Sequence, residues 1–185
     1  MASASVPWSP EDYRSLLLLW ARLHLPRALW RREGPSDIVQ VALAKAYSRR
    51  DQFRGQSEAE WQAWLRRILA RAMTDAVRRY TRKGGDQERS LNAAMEASSC
   101  RAADWVCDGN PSPPQELMGR EQVRRLAEAL EHLNPDQRTA FELHYLQEKP
   151  VKEVGQLMHK SVAAVAGLLR RGLETLRDLL GDAPL

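Results

Sequence analysis

The sequence has few cysteines, no long apolar run and no leader-like start. Its two cysteines, Cys100 and Cys107, lie in a stretch rich in Ser, Ala, Asp and Gly, and they form neither a disulfide framework nor a paired CxxC zinc motif. We expect two free thiols. The longest apolar run near the start, Leu16 to Trp20, is far too short to span a bilayer, and no basic segment leads into a longer one. These features predict a cytoplasmic protein with no membrane insertion.

The motifs of common enzyme classes are missing as well. The sequence has no HExxH, no GxxxxGK(S/T) and no glycine-rich nucleotide loop, and its histidines fall into no such pattern: His24, His132, His144 and His159. Most Ser, Asp and Glu residues suit helix caps and surface positions. We therefore predict a protein without enzymatic activity, cofactor or metal site.

Polar and apolar residues do not alternate with a period of two, so the sequence offers no strand pattern. Apolar residues recur at helical spacing instead, which predicts an all-α fold. The predicted helices are PEDYRSLLLLWARLHLPRALW, PSDIVQVALAKAYSRR with a cap at Ser36 or Asp37, a long helix from about Glu58 to Arg82 stopped by Gly84 and Gly85, ELMGREQVRRLAEALEHL, LNPDQRTAFELHYLQ capped by Asn134, VKEVGQLM, and VAAVAGLLRRGLETLRDLL capped by Ser161.

A change of composition divides these helices into two groups. Residues 96–114, which end in CDGNPSPP, have little periodic apolar pattern, as is typical of a linker. We predict two small helical domains, residues 9–95 and 116–182, joined by a flexible linker at residues 96–115. The side chains expected to face the cores include Ile38, Val41, Leu43, Trp61, Trp64, Leu65, Ile68, Leu69, Met73, Val151, Val154, Leu157, Met158, Val162 and Val165.

Positive charge is concentrated in the first half of the chain. Residues 1–100 hold 17 Lys and Arg against 11 Asp and Glu, whereas residues 101–185 hold 11 against 13. One helix carries most of the surplus, with a single acid, Asp75, among its basic residues: Arg66, Arg67, Arg71, Arg78, Arg79, Arg82 and Lys83. Such a stripe can neutralise phosphates of a nucleic acid, and it can equally be a solvated face.

The last two predicted helices have the pattern of a helix-turn-helix. VKEVGQLM and VAAVAGLLRRGLETLRDLL are separated by HKS. In this motif the second helix enters the major groove, where small residues near its start allow close approach and basic residues hold phosphate or a guanine edge. An ordinary helical hairpin would give the same pattern. The small residues are Ala163, Ala164, Ala166 and Gly167, and the basic ones are Lys160, Arg170 and Arg171.

Taken together, these segments resemble the extracytoplasmic-function sigma factors (group IV) of the bacterial sigma-70 family. The resemblance lies in SDIVQ, in FRG followed by AWLRRIL, in LNPDQR and in the terminal helix-turn-helix, and it covers about residues 9–180 without the linker. It implies a dissociable subunit that directs RNA polymerase core to promoters and helps to open them. The implied partners are the clamp helices of the largest polymerase subunit, the flap of the second-largest subunit, promoter DNA and, for some members, an anti-sigma protein.

The resemblance also implies roles for individual residues. The surface of the SDIVQ helix would bind the polymerase core through Asp37, Gln40 and Val41. The minus-ten element would contact Gln52, Phe53, Arg54, Gly55, Gln56, Arg71, Arg78, Arg79 and Arg82, with the loop around Phe53 holding a flipped-out base. Phe53 could equally be a core plug beneath that loop. The minus-thirty-five element would contact Lys160, Ser161, Ala163, Ala164, Arg170 and Arg171.

The sequence departs from the family pattern in two places. Ala166 and Gly167 stand where many relatives carry polar or basic side chains in the recognition helix, and Gly155 stands where alanine is common in the supporting helix. We expect a minus-thirty-five element that is tolerant of A and T or is read by DNA shape. An alternative function is a regulator of another kind, in which the helix-turn-helix binds duplex DNA and the first half binds a protein or ligand.

Overall fold

The computed structural model describes residues 7–81 and 113–181. The chain divides into two compact units, residues 1–96 and 97–185. All regular elements within the described residues are helical, so the predicted all-α class is confirmed. Several predicted features lie outside the described residues: Arg82, Lys83, Gly84, Gly85, Cys100, Cys107 and the linker up to residue 112. The exact domain boundaries stay a prediction.

The described part of the first unit, residues 7–81, contains three α-helices. They are α1 (Arg14–His24), α2 (Pro35–Ser48) and α3 (Glu58–Thr81), with short 3₁₀ turns at Pro10–Tyr13, Arg27–Leu29 and Arg50–Gln52. α1 is buried on most sides, and its Trp20 packs in a core with Ile38 of α2 and Trp61 of α3. The predicted core residues Ile38, Leu43, Trp61, Leu65, Ile68, Leu69 and Met73 are all buried.

Two predictions for this unit are wrong in detail. The N-cap of α2 is Gly34 rather than Ser36 or Asp37, because Pro35 suits the first helical position and the Asp37 carboxylate accepts the Gly34 N–H at 2.9 Å. Val41 does not face the core, since 41% of its surface is exposed. It lies three residues beyond the buried Ile38, and the turn of the helix carries it just past the edge of the core.

Residues 113–181 of the second unit form four α-helices, α4 (Pro113–His132), α5 (Pro135–Phe141), α6 (Val151–Met158) and α7 (Val162–Leu180), with a π-helical segment at Glu142–Leu146 after α5. α4 begins at Pro113, inside the predicted linker. Asn134 caps α5 as predicted, because its side chain accepts the Gln137 N–H at 2.9 Å while the Gln137 side chain accepts the Asn134 N–H. One apolar cluster joins α5, α6 and α7 through Ala140, Leu143, Val154, Val165, Leu168 and Leu169.

The turn between α6 and α7 forms without a glycine at its bend. His159 takes the left-handed conformation there, with φ of 53°, a position that glycine or asparagine usually fills. Gly155, one turn earlier, makes close packing possible, because a β-carbon on it would lie 2.8 Å from the carbonyl oxygen of Lys160. The departure from alanine at position 155 therefore reflects the tight contact between α6 and this turn.

In the two described ranges, 7–81 and 113–181, no helix combines the length and the apolar content needed to span a bilayer.

Candidate nucleic-acid and polymerase interfaces

The outer face of α2 carries the residues predicted to contact polymerase. Gln40 and Val41 are exposed, and within the described part of the chain no side-chain hydrogen bond holds either of them. Asp37 is exposed as well, but its carboxylate is engaged with the Gly34 N–H and so stabilises the start of α2. Ile38 is 1% exposed and belongs to the core. Gln40 and Val41 therefore form a surface that can be altered without disturbing the helix.

The loop between α2 and α3 is held by its own groups. The Arg54 guanidinium donates to the carbonyl oxygen of Asp51 at 2.6 Å. A β-carbon on Gly55 would overlap with Phe53 Cζ and lie 2.8 Å from Glu60 Cβ, so only glycine lets the backbone pass this close to the ring. Gln52, Arg54 and Gln56 are exposed around this support. The predicted loop is thus compact and preorganised.

A capping box joins the loop to α3. The Glu60 carboxylate accepts the N–H of Gln56 at 2.8 Å, the N–H of Ser57 at 3.0 Å and the Ser57 hydroxyl at 2.9 Å, while the Ser57 Oγ accepts the Glu60 N–H at 3.3 Å. The hydrogen bonds from Gln56 N–H, the Ser57 hydroxyl and Ser57 N–H hold the pKa of Glu60 below its usual value. These bonds favour the ionised carboxylate, so the loop depends on its charge.

We expect the stabilising effect of Glu60 to disappear at low pH. Because its pKa is lowered in the folded state, its contribution is complete above the unfolded-state pKa, about 4.3, and is lost as the pH falls through the lower folded-state value. Thermal unfolding of the wild type and Glu60→Gln should therefore differ most at neutral pH and converge below about pH 4. A difference in melting temperature that is constant over this pH range would contradict the role of the charge.

Three aromatic rings lie directly beneath the loop. Phe53 meets Trp61 edge-on with ring centroids 5.0 Å apart, and its ring lies 5.6 Å from that of Trp64. Trp61 and Trp64 are 5.0 Å apart and tilted by 31°. Phe53 is buried, so of the two alternatives it is the plug beneath the loop rather than a free stacking surface.

Trp64, predicted to be buried, is only half buried because one side of it borders an open pocket. The pocket has a volume of about 220 Å³ and lies between the C-terminal part of α2 and the middle of α3. Residues at i, i+3, i+4 and i+7 of α3 supply one wall. Its complete lining is Lys45, Arg49, Gln52, Trp64, Arg67, Ile68 and Arg71. Of these, only Gln52 and Arg71 were among the predicted minus-ten residues.

Arg67 was predicted only as part of the basic stripe, and sequence reasoning missed Lys45, Arg49 and Trp64 as site residues because the site is built from two helices. Lys45 and Arg49 lie four residues apart and share a face of α2, but the sequence does not show that this face meets α3. Trp64 has the helical spacing of a core residue, and the pattern alone does not distinguish a core tryptophan from one at the edge of a pocket. The excess of arginine on α3 was the sequence signal that could have indicated this pocket.

The basic stripe of α3 is narrower than predicted. Arg66 is buried, with its guanidinium 5.6 Å from the ring centroid of Trp20, so it belongs to the core side of the helix. Arg67, Arg71 and Arg78 are exposed and define the outer face. Arg79 is exposed too, but its Nη2 donates to both carboxylate oxygens of Glu33, at 2.6 and 2.5 Å. Its charge is already neutralised in this structure.

Asp75 forms an ion pair with a cation that lines the pocket, and not with an arginine of the basic stripe. Its spacing within α3 would allow a pair with Arg71, Arg78 or Arg79 one turn away, but its carboxylate lies 3.3 Å from the Lys45 ammonium group on α2. This pair joins the two helices that form the pocket. The Lys45 and Asp75 side chains are 33% and 40% exposed. Because the ion pair is in contact with solvent, it contributes at most about 1 kcal/mol to stability.

The start of α7 has the geometry expected of a recognition helix. Ser161 is the N-cap, and its hydroxyl accepts the Ala164 N–H at 3.2 Å. Ala163, Ala164 and Ala166 are exposed. Lys160 is half-buried and its ammonium group lies 3.0 Å from the Asp136 carboxylate at the start of α5, so its charge is shared within the unit.

The two neighbouring arginines of α7 differ in their surroundings. The Arg170 guanidinium donates to the Glu174 carboxylate at 2.9 Å, one turn along the helix. The Arg171 guanidinium lies back towards Gly167, where an added β-carbon would be 3.4 Å from its Nη1. Among the described residues Arg171 has no ion-pair partner. It is therefore the available cation of this neighbouring pair.

Apolar side chains are also exposed around the turn, contrary to prediction. Leu157 of α6 and Val162 of α7 were expected to face the core, but they are 52% and 53% exposed. In α6 the buried side is occupied by Val154 and Gly155, and in α7 the buried stripe begins at Val165. Contacts around the turn, and not the apolar pattern, therefore set which side of each helix faces the core.

Comparison with known proteins places both units in one family. The model for Sigma-70 region 2 matches residues 11–83, and the model for Sigma-70, region 4 matches residues 123–176. The first match includes α2, the loop and α3. The second includes the helix-turn-helix and most of α7.

Similar full-length proteins carry matching names. The chain is 29% identical to the ECF RNA polymerase sigma factor SigG of Mycobacterium tuberculosis, over 93% of this chain and 48% of that protein, so it spans about half the length of that relative. It is 27% identical to the ECF RNA polymerase sigma factor SigW of Bacillus subtilis, over 79% and 75%, and 30% identical to the ECF RNA polymerase sigma-E factor of Escherichia coli K12, over 89% and 86%. The chain therefore belongs to the extracytoplasmic-function sigma factors of the sigma-70 family.

Proposed function

We propose that this protein binds bacterial RNA polymerase core in the cytoplasm and directs it to promoters with a minus-ten and a minus-thirty-five element. It assists promoter opening by binding DNA, without carrying out a chemical reaction of its own. The observation that carries the proposal is the presence, in one chain of this family, of a basic pocket beside an ordered loop and of a helix-turn-helix with a free arginine. The first suits an unpaired base, and the second suits duplex DNA.

The pocket between α2 and α3 holds one base of the opened minus-ten strand. Extruding a base costs a few kcal/mol, and stacking on an aromatic side chain returns about 1–3 kcal/mol. Trp64 supplies the stacking surface because Phe53 and Trp61 hold its ring from behind. Gln52, at the edge of the pocket, is the member of the predicted loop that lies within reach of the base.

The flanking phosphates follow the outer face of α3. Arg71 and Arg78 are exposed along one side of this helix, and each phosphate that they neutralise releases counterions and strengthens binding at low salt. We rank Arg78 above Arg79 as a phosphate ligand, since Arg79 would first have to leave Glu33. Arg82, the last predicted member, lies outside the described residues.

The helix-turn-helix binds the minus-thirty-five element with α7 in the major groove. Ser161 and Lys160 lie at the helix start, where phosphates are usually bound. The ion pair between Lys160 and Asp136 is a surface pair worth at most about 1 kcal/mol, so a DNA phosphate can replace Asp136. Ala163 and Ala164 allow the backbone to approach the base edges, and Arg171 contacts a guanine or the groove wall.

The clamp helices of the polymerase bind α2. Gln40 and Val41 lie in this contact, and Asp37 lies at the edge of the contact. The flap of the second-largest subunit binds the second unit, and an anti-sigma protein is a further candidate partner. Gln40 and Val41 are both exposed on a regular helix, so they are accessible to such a contact.

We expect the double variant Gln40→Ala, Val41→Ala to bind core polymerase about 5- to 30-fold more weakly, the effect of losing about 1–2 kcal/mol at an interface. Both side chains are exposed, and alanine favours a helix, so the melting temperature should not fall. Asp37 is left unchanged because it also caps α2. Gln156→Ala, an exposed glutamine on α6, is the matched control. Unaltered affinity of the double variant for core would show that this surface is not the contact.

Run-off transcription tests the function as a whole. Purified core polymerase is combined with the full chain and a pool of genomic fragments, and initiation at a discrete set of promoters that requires both components supports the proposal. Tight binding of the chain alone to duplex DNA, with no effect on core polymerase, would overturn it in favour of a regulator of another kind.

A further inference from the structure

The polar side chains that line the pocket beside Trp64 are mostly hydrogen-bond donors. Among its lining side chains, Lys45, Arg49, Arg67 and Arg71 can only donate hydrogen bonds, and Gln52 is the one that can also accept them. No carboxylate lines the pocket. Any base held here therefore has to present acceptors to the wall.

Two of these donors are free to bind a ligand. Lys45 is already paired with Asp75 at 3.3 Å, but Arg49 and Arg67 have no ion-pair partner within the described residues, and both are exposed. They come from the two sides of the chain that form the pocket, Arg49 at the end of α2 and Arg67 on α3. An arginine presents a planar fork of N–H groups that fits two neighbouring acceptors.

The four bases differ in whether they offer such a pair. Guanine has the O6 and N7 acceptors side by side, and a bidentate arginine at this edge is the commonest specific contact in DNA recognition. Adenine has N7 beside an amino donor, and the O4 of thymine is flanked by a ring N–H, so neither matches a fork. Cytosine has neighbouring O2 and N3 atoms, but its amino group would then face the cationic wall, and its single ring covers less of Trp64.

We propose that this pocket selects guanine at the position of the opened minus-ten strand that it holds. The inference rests on the proposed function, because it assumes that the pocket binds an unpaired base. It adds the identity of that base and the residues that select it. Arg49 and Arg67 donate hydrogen bonds to the O6 and N7 edge of guanine, and the base stacks on Trp64.

The test uses the holoenzyme and fork-junction promoter templates whose minus-ten region is already single-stranded. First, each position of the single strand is made abasic in turn, and the position with the largest loss of binding marks the base in the pocket. Then that position carries guanine, adenine, cytosine, thymine, inosine or 7-deazaguanine. We expect guanine and inosine, which share O6 and N7, to bind alike, and adenine and thymine to bind roughly 10- to 100-fold more weakly.

The analogue 7-deazaguanine separates edge recognition from stacking, since it lacks only the N7 acceptor. It should bind like adenine. The variants Arg49→Ala and Arg67→Ala should reduce the differences among the bases, whereas Arg78→Ala, two turns or more further along α3, should weaken all templates equally. Equal binding of the four bases, or a preference for adenine, thymine or cytosine, would overturn the guanine assignment. If no abasic position matters, the base-holding role of the pocket fails instead.

Discussion

Replacing Gly55 with alanine is expected to lower the free energy of unfolding by about 1–3 kcal/mol, the usual effect of forcing extra volume into a packed site. The added β-carbon would overlap with the Phe53 ring and lie 2.8 Å from Glu60 Cβ. Neither neighbour can move freely, because Phe53 is wedged against Trp61 and Trp64 and Glu60 is fixed by the capping box. The strain should pass through Phe53 to the pocket wall.

Tryptophan fluorescence during unfolding of the full chain measures this effect. Five of the six tryptophans lie in residues 1–96, so the signal reports mainly on the unit that contains Gly55. Gly34→Ser is the matched control, because a β-carbon there would meet its nearest neighbours at 3.7 Å and serine is a good N-cap. A Gly55→Ala protein that unfolds like the control would mean that the loop is loosely packed, and the support of Trp64 by Phe53 would have to be abandoned.

The helices of this protein could be predicted from sequence because their signals are local. Helical spacing and caps such as Ser161 and Asn134 depend on residues within one or two turns, and both caps form the expected hydrogen bonds. The same local reasoning placed Val41 and Val162 on the wrong side of their helices. A difference of a fraction of a turn decides whether such a residue is buried, and that rotation is fixed by contacts between helices.

The candidate site was predictable only in part, because its parts come from separate helices. The loop and the basic face of α3 were evident from FRG and the run of arginines, whereas the pocket requires Lys45 and Arg49 of α2 to meet Trp64 of α3. The ion pairs between helices could not be predicted from sequence for the same reason. Pairs such as Arg79 with Glu33 and Lys45 with Asp75 join residues that are 46 and 30 positions apart, and no spacing rule within a helix indicates them.

These ion pairs also change how the basic residues rank as DNA ligands. Formal charge gives Lys160, Arg170 and Arg171 equal weight, but Lys160 and Arg170 already have acidic partners within their own unit. Each partner adds negative charge close to the DNA-facing surface, so part of the attraction to phosphate is cancelled before binding. The remaining free cation, Arg171, should dominate.

The last prediction compares the two arginines of α7 directly. Arg171→Ala should lower transcription from a promoter that needs its minus-thirty-five element by about 5- to 150-fold at limiting holoenzyme, the value of one good arginine contact to a base. Arg170→Ala should lower it only a few-fold, because Arg170 gives up the Glu174 carboxylate, an exposed pair worth about 0.3–0.5 kcal/mol, in order to reach DNA. Both are exposed, so neither change should lower the melting temperature.

The geometry behind this difference is the position of Gly167. A helical side chain points towards the start of its helix, and with no side chain at Gly167 the Arg171 guanidinium lies over that turn, near the exposed alanines that we propose approach the bases. The decisive comparison uses the same promoter with its upstream element scrambled. If Arg171→Ala loses the same fraction of activity on both templates, or if Arg170→Ala is the more defective variant, α7 does not read that element through Arg171, and the recognition surface has to be sought elsewhere on the second unit.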